Sequence, residues 1–213
     1  MKDLKFYKLF YLFIFGSIFG WVIEVIPNIV IDGVFYNHSS LVIGPFNLVY
    51  GIGAVIITLL LYSFKDSSSL LIFIASSIFG TIFEYLMSLC MELLVGFTAW
   101  DYSHLPLNIN GRVSIRFTIF WGLLGIVWFK HLYPYMMENV INKFKEKKAT
   151  KIMYIIIPLL ILDGILTLSA VDRAKKKDEG IKAQNKYEEF LDNTFNKEYL
   201  TNMFNNSNWD QKK

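Results

Sequence analysis

Two glutamates stand in apolar surroundings where a carboxylate is costly. Ser17-Ile18-Phe19-Gly20-Trp21-Val22-Ile23-Glu24 and Ser77-Ile78-Phe79-Gly80-Thr81-Ile82-Phe83-Glu84 agree at five of eight positions, the terminal glutamate included. An ionised side chain within a membrane span costs roughly 2.5–3.5 kcal/mol on insertion scales, so its presence calls for a reason. Carboxylates so placed bind a cation, carry protons or serve as acid and base in a medium of low dielectric constant. The structural alternative is a buried ion pair that fastens helices together.

Other polar groups gather toward the same depth. Asn47 and Tyr50 lie in the Gly44–Gly51 stretch, and Trp100, Asp101, Tyr102, Asn108 and Arg112 fall in a polar segment between apolar runs. Trp121 opens the following run, while Asp163 and Arg173 occupy the last one. With Glu24 and Glu84 these residues cluster in one half of the membrane whichever way the chain is threaded. That pattern predicts a water-accessible cavity open to one side, lined by Glu24, Asn47, Tyr50, Glu84, Asp101, Tyr102, Asn108, Arg112, Trp121 and Asp163. Arg112 offers a planar donor fork to an anionic group. Equally, Asp101 can cap backbone N–H groups of a loop that turns at Pro106. Because an isolated charge is costly in lipid, Glu24 or Glu84 is expected to pair with Arg112 or Arg116.

The elements that carry these residues are read from hydropathy. Of the 213 residues 54% are apolar, and they are collected into blocks rather than spread at core-forming intervals. Blocks at about 7–30, 41–63, 69–96, 114–136 and 152–171 reach the roughly 20 residues a bilayer demands. The fold class is therefore all-α, a polytopic bundle of about five spans over residues 1–173, with a polar, partly helical tail over 174–213. Within the tail Ile181, Tyr187, Phe190, Leu191 and Phe195 share one loose helical face. The first block is too long for a signal-peptide core and no small-residue cleavage pattern follows it, so it is expected to be a retained span. Lys2, Lys5, Lys8, Lys65, Lys130, Lys143, Lys145, Lys147, Lys148 and Lys151 fall at one set of span ends; Arg112, Arg116, Arg173, Lys175, Lys176 and Lys177 fall at the other. The positive-inside rule then puts the N-terminus in the cytoplasm and the tail outside.

The two glutamate segments also imply an internal repeat. Gly44-Pro45 followed by Tyr50-Gly51 resembles Gly111-Arg112 followed by Trp121-Gly122, with spacing that differs by four residues. Spans one and three run the same way, so the halves would be parallel repeats about an axis along the membrane normal. Gly16-xxx-Gly20 and Gly122-x-x-Gly125 read as close-packing contacts.

Several chemistries lack their signatures. Cys90 is the single cysteine, so neither an intrachain disulfide nor a CxxC site can form. His38, His104 and His131 make no HExxH or HxxxH pattern, and no metal or other cofactor is expected. There is no GxxxxGK[ST] loop, so energy from ATP would have to come through a partner. A GxSxG elbow is missing too. The net charge of +3 is small and forms no basic, aromatic-interleaved patch, which argues against nucleic acid.

WxxEV (21–25), GP…YG (44–51), WDYS (100–103), NxxGR (108–112), FWG (120–122) and the late Asp163…Arg173 together resemble a bacterial family of small polytopic membrane proteins, the ABC-transporter permeases of CmpB type, over roughly residues 7–205. The resemblance implies a cell-membrane protein, a shared polar site and a separate ATPase subunit. Three classes of function stay open. One is a permease-like component that binds a small or lipid-like substrate, another an integral-membrane enzyme acting on a lipid or peptide with Glu24 or Glu84 as base. The third is a structural or regulatory subunit, and a homo-oligomer is compatible with each.

Overall fold

In hydrocarbon, every backbone N–H and C=O must be bonded within its own segment, and a long apolar run therefore becomes a helix. The computed structural model describes residues 4–96, 98 and 100–204. Its helices are α1 (Phe6–Pro27), α2 (Leu48–Leu61), α3 (Ser69–Val95), α4 (Ile115–Val127), α5 (Tyr133–Asn139), α6 (Glu146–Asp178), α7 (Lys186–Thr194) and α8 (Lys197–Met203). One small antiparallel hairpin pairs β1 (Asn108–Ile109) with β2 (Val113–Ser114). Among the described residues four helical stretches are long and apolar enough to cross a membrane: Phe6–Ile31, Ser69–Leu94, Ile115–Lys143 and Glu146–Asp178. The remaining apolar helix, Leu48–Phe64, is shorter. Its α-helical part, α2, spans 14 residues and continues into a 3-residue 3₁₀ turn, a rise of about 25 Å. The protein is an all-α membrane bundle.

The helix ends have local causes. The Ser68 hydroxyl accepts from the Leu71 backbone N–H at the start of α3, and Gly96, in the left-handed region at φ 78°, closes its other end. Helix α6 runs well past the expected 152–171 at both ends. Lysine, glutamate and alanine are good helix formers, so the lysine-rich segment between the fourth and fifth apolar blocks supplies the opening turns of α6. Glu146 sits in its first turn and Lys175, Lys176 and Lys177 in its last, each sign matching the helix dipole.

The second apolar block begins as irregular chain. Residues 41–47 are not helical, because Gly44 adopts φ 83° and Pro45 lacks an N–H. Side chains meet the backbone groups that no helix satisfies there. The Ser39 hydroxyl accepts from the Leu41 and Phe46 N–H groups and has the Leu41, Gly44 and Phe46 carbonyls within reach of its single proton, Thr167 accepts from the Val42 N–H at 2.9 Å, and Asp163 accepts from the Ile43 N–H at 3.2 Å.

Helix α1 packs along α2 and α3 along α4, with α2 against α3 joining the pairs and α6 lying against α1. Small residues set these approaches. A Cβ on Gly16 would come within 2.7 Å of the Ala54 Cβ, and one on Gly80 within 2.6 Å of the Trp121 ring. Gly51 would meet the Ser17 hydroxyl, Gly122 the Ser77 hydroxyl and Gly125 the Ser76 hydroxyl. Leu12, Leu61, Ile72, Ile141 and Met153 are fully enclosed in the same core.

The tail folds back onto the bundle. Leu191, Phe195, Leu200 and Met203 bury against Val42, Ala170, Val171 and Ala174, whereas Ile181, Tyr187 and Phe190 of the expected apolar face stay exposed. Arg173, only 3% exposed, donates to Asp192 at 2.9 Å and to the Ile181 carbonyl at 3.0 Å. Tyr199 donates to the Val42 carbonyl and Asn202 to that of Phe35, seating the tail over the α1–α2 connection. Lys2, invoked for topology, and tail residues 205–213 lie outside the described residues.

Substituting Gly51 by leucine drives a side chain into Ser17 and Phe13 of α1 and is expected to cost about 1–3 kcal/mol. Gly164→Ala on α6 meets nothing within 4 Å and is expected to be neutral or slightly stabilising. Thermal melts of the two variants in detergent check the contrast; equal melting temperatures would remove the close α1–α2 approach.

Candidate functional site

The two helix pairs meet where their glutamates do. Helix α1 presents Glu24, and Tyr50 on α2 donates its hydroxyl to Glu24 Oε1 at 2.6 Å. Glu84, 4% exposed near the middle of α3, receives the Trp121 indole N–H of α4 at 3.1 Å on Oε2. The Tyr102 hydroxyl supplies the second donor, at 3.2 Å from Glu84 Oε1. The carboxylates are close enough for their charges to act on one another. Tyr50 and Trp121 stack across the junction with ring centroids 6.1 Å apart. Phe83 packs edge-on to the Trp121 ring from the other side.

The contacts come in matching sets. Gly20 faces Tyr50 and Gly80 faces Trp121; Ser17 faces Gly51 and Ser77 faces Gly122. Each glutamate thus lies one turn beyond a glycine that admits an aromatic ring, and the polar edge of that ring returns a hydrogen bond to the carboxylate.

Tyr102 reaches Glu84 from a loop whose own polar groups hold it in shape. Asp101 accepts from the Ser103 N–H at 2.8 Å and Asn108 from the Gly111 N–H at 3.0 Å. Asn108 also donates to the Leu105 carbonyl at 2.8 Å, and Trp100 to the Arg112 carbonyl at 2.8 Å. Rings complete the support: Tyr102 stacks on Phe117 with centroids 4.2 Å apart and on Trp100 at 6.3 Å. Burial and the neighbouring Glu84 and Glu24 carboxylates hold the Tyr102 phenol well above its ordinary range, so it remains a donor at physiological pH.

The expected pairing of Glu24 or Glu84 with Arg112 or Arg116 does not occur. Arg112 forms its ion pair with Glu92, donates to the Ser88 hydroxyl at 3.1 Å and lies over the Tyr85 ring, while Arg116 is exposed. Glu92 is two turns beyond Glu84 on α3, level with the loop that carries Arg112. Among the described residues no basic side chain forms an ion pair with either glutamate.

Of the ten residues expected to line one cavity, Glu24, Tyr50, Glu84, Tyr102 and Trp121 are brought together. Asp101 and Asn108 shape the Tyr102 loop, and Arg112 anchors it to Glu92. Asn47, just ahead of α2, donates to the His38 carbonyl at 3.3 Å, while its backbone N–H bonds the Ser17 carbonyl. Asp163 binds the 41–47 segment and takes no part in the glutamate cluster.

Asn28 and His38 join the surroundings of Glu24 without having been nominated by spacing. Asn28 donates to the Glu24 carbonyl and to His38 Nε2, and Trp21 donates to Asn37 at 2.8 Å. Asn28 does follow Glu24 by four residues, the helical interval that would have flagged it. Burial draws the His38 imidazole below its ordinary value, opposed by the charge of Glu24. A shallow cleft beside the cluster is lined by Gly16, Phe19, Tyr50, Ala54, Trp121 and Trp128.

With this geometry in hand, comparison with known proteins adds the family. A family model described as Putative ABC-transporter type IV matches residues 11–168, and the chain belongs to that family. No curated protein and no solved structure matches it.

Trp121→Phe and Tyr102→Phe each strip one donor from a buried carboxylate, and each is expected to lower stability by about 1–3 kcal/mol. Thermal melts in detergent measure this, and Ile119→Val, at an exposed position of α4 that leaves both donors and their ring contacts in place, serves as the comparison. A pH effect should accompany it. Because the folded state holds His38 below the ordinary 6.5, the unfolded chain takes up its proton first. The contribution of neutral His38 is therefore complete above about pH 6.5 and is lost as the pH falls below it. Melting temperatures at pH 7.5 and 5.5 should separate more for the wild type than for His38→Gln.

Proposed function

We propose that this chain is the membrane permease component of a transporter, binding a small or lipid-like substrate at the Glu24–Glu84 junction and working with a separate ATPase subunit. The observation that carries this reading is the meeting of two carboxylates at membrane depth, whose hydrogen bonds among the described residues come from the neutral donors Tyr50, Tyr102 and Trp121. A structural ion pair would have placed a basic side chain there; a site kept for a ligand would not.

The matching Gly20–Tyr50–Glu24 and Gly80–Trp121–Glu84 contacts support a parallel internal repeat, with the site on the pseudo-axis between halves. Repeat interfaces are where rocking of one half against the other exposes a site to alternate sides. The lysine distribution supports a cytoplasmic N-terminus, and with it a tail and a Tyr102 loop on the outer side. On that orientation the ATPase would engage the opposite end, where Lys5 pairs with Glu146.

The test is mass spectrometry of the tagged protein purified gently from its native membrane, as wild type, Glu24→Gln and Glu84→Gln. Glutamine can accept from Tyr50 or Trp121 as glutamate does, so both variants should fold. The expected result is an ATPase subunit recovered with all three and a small molecule or lipid retained by the wild type and depleted in the variants. If the ATPase is absent and retention is the same in all three, the permease reading is wrong. A retained molecule turned into a new product by the purified chain without ATP would replace it with an enzyme.

A further inference from the structure

A cavity of about 290 Å³ lies where the tail folds back onto the end of α6. We propose that it binds a small zwitterion, a molecule that carries one anionic group and one ammonium group. None of the residues that line it belongs to the Glu24–Glu84 junction, so this second site stands or falls independently of the first.

The first ground is Arg173. A guanidinium is costly to bury unless its donors find acceptors. Arg173 is 3% exposed and lines the cavity, yet only its Nη2 is used, on Asp192 and on the Ile181 carbonyl. Its Nε and Nη1 have no acceptor among the described residues. Lys177, one turn further along α6, stands 4.0 Å from the same Asp192, too far for a hydrogen bond. Two cations therefore share one carboxylate. An oxyanion beside them supplies both the charge and the acceptors they lack.

The second ground is the reverse imbalance in the same lining. Lys197 bonds Asp178 at 2.7 Å, while Glu198, next in the chain, forms no ion pair among the described residues. Here two carboxylates stand with one ammonium. One cavity thus carries a positive excess and a negative excess of one charge each, with Ala174 and Phe195 as its apolar part. An anion alone leaves Glu198 unmet, and a cation alone leaves Arg173 and Lys177 unmet. A hard metal ion needs several oxygens at once, whereas Asp178 and Asp192 are already held by cations. The zwitterion answers both excesses, and its chemistry has two sources: the ethanolamine phosphodiester headgroup of a phospholipid, or a free amino acid.

The purified full chain, freed of lipid in an uncharged detergent, is titrated with glycerophosphoethanolamine, the soluble headgroup, and with leucine. Saturation-transfer NMR of the ligand follows binding. Glycerol 3-phosphate and ethanolamine, each carrying charge of one sign only, are the comparisons. At least one zwitterion is expected to saturate, about tenfold or more tightly than either comparison. The one that does identifies the source. Lys177→Gln should weaken it about tenfold. Glu198→Gln should weaken the zwitterion while strengthening glycerol 3-phosphate, a reversal of preference that a folding defect does not produce. Both side chains are exposed, so the variants should fold. Glu138→Gln, exposed on α5, should leave affinity unchanged. No saturation by either zwitterion, equal affinity for the comparisons, or indifference to both substitutions overturns the proposal.

Discussion

A carboxyl group at the middle of a membrane helix must find its hydrogen bonds inside the protein, and much of this bundle is arranged around that need at Glu84. Two donors reach it, and each imposes a condition elsewhere. The Trp121 indole approaches only because Gly80 removes the side chain that would occupy its place, which in turn brings α4 close to α3. Tyr102 arrives only because a non-helical loop descends from the surface, and non-helical backbone near lipid depth must satisfy its own polar groups. Asp101, Asn108 and the short β1–β2 hairpin do that, with Arg112 and Glu92 fixing the loop to the end of α3.

Glu24 is met by the same solution at lower stringency. Gly20 admits Tyr50, whose hydroxyl returns to the carboxylate, and the second irregular segment, 33–47, lies alongside with Asn28, Asn37 and His38. That segment is secured from outside the helix pair: Asp163 and Thr167 of α6 cap its backbone, and the tail bonds to its carbonyls. Helix α6 and the tail therefore brace the α1–α2 half, whereas the α3–α4 half carries its own brace in the Arg112–Glu92 pair. The asymmetry explains why Asp163, costly in an apolar helix, stands apart from the glutamates: its partner is backbone.

How much of this could be read from the sequence follows from which interactions are local. Apolar blocks separated by lysines and turn residues are one-dimensional signals, and α1, α3 and α6 lie where those blocks do. The Ser-Ile-Phe-Gly…Glu segments were visible for the same reason. Residues 41–47 misled because Leu41, Val42 and Ile43 are as apolar as a span, and only the Gly44 backbone turn separates them from α2. The choice of partner for Arg112 was out of reach. Charge balance alone offers it three glutamates, and the hairpin that delivers it to Glu92 rather than Glu84 is a tertiary fact with no periodic signature.

Neutral donors rather than arginine at Glu84 have a consequence for motion. A buried salt bridge across α3 and α4 would resist separation of its partners, since pulling them apart in lipid leaves two bare charges. Indole and phenol donors leave no bare cation when they let go, and their rings still bury apolar area against whatever replaces the carboxylate. The Tyr50–Trp121 stack lies on the junction between halves, where sliding of one ring past the other alters little contact area. That interface therefore holds the two carboxyls with no charged tie between the helix pairs. The residues that make the two carboxyls tolerable in lipid are thus rings that carry no charge of their own.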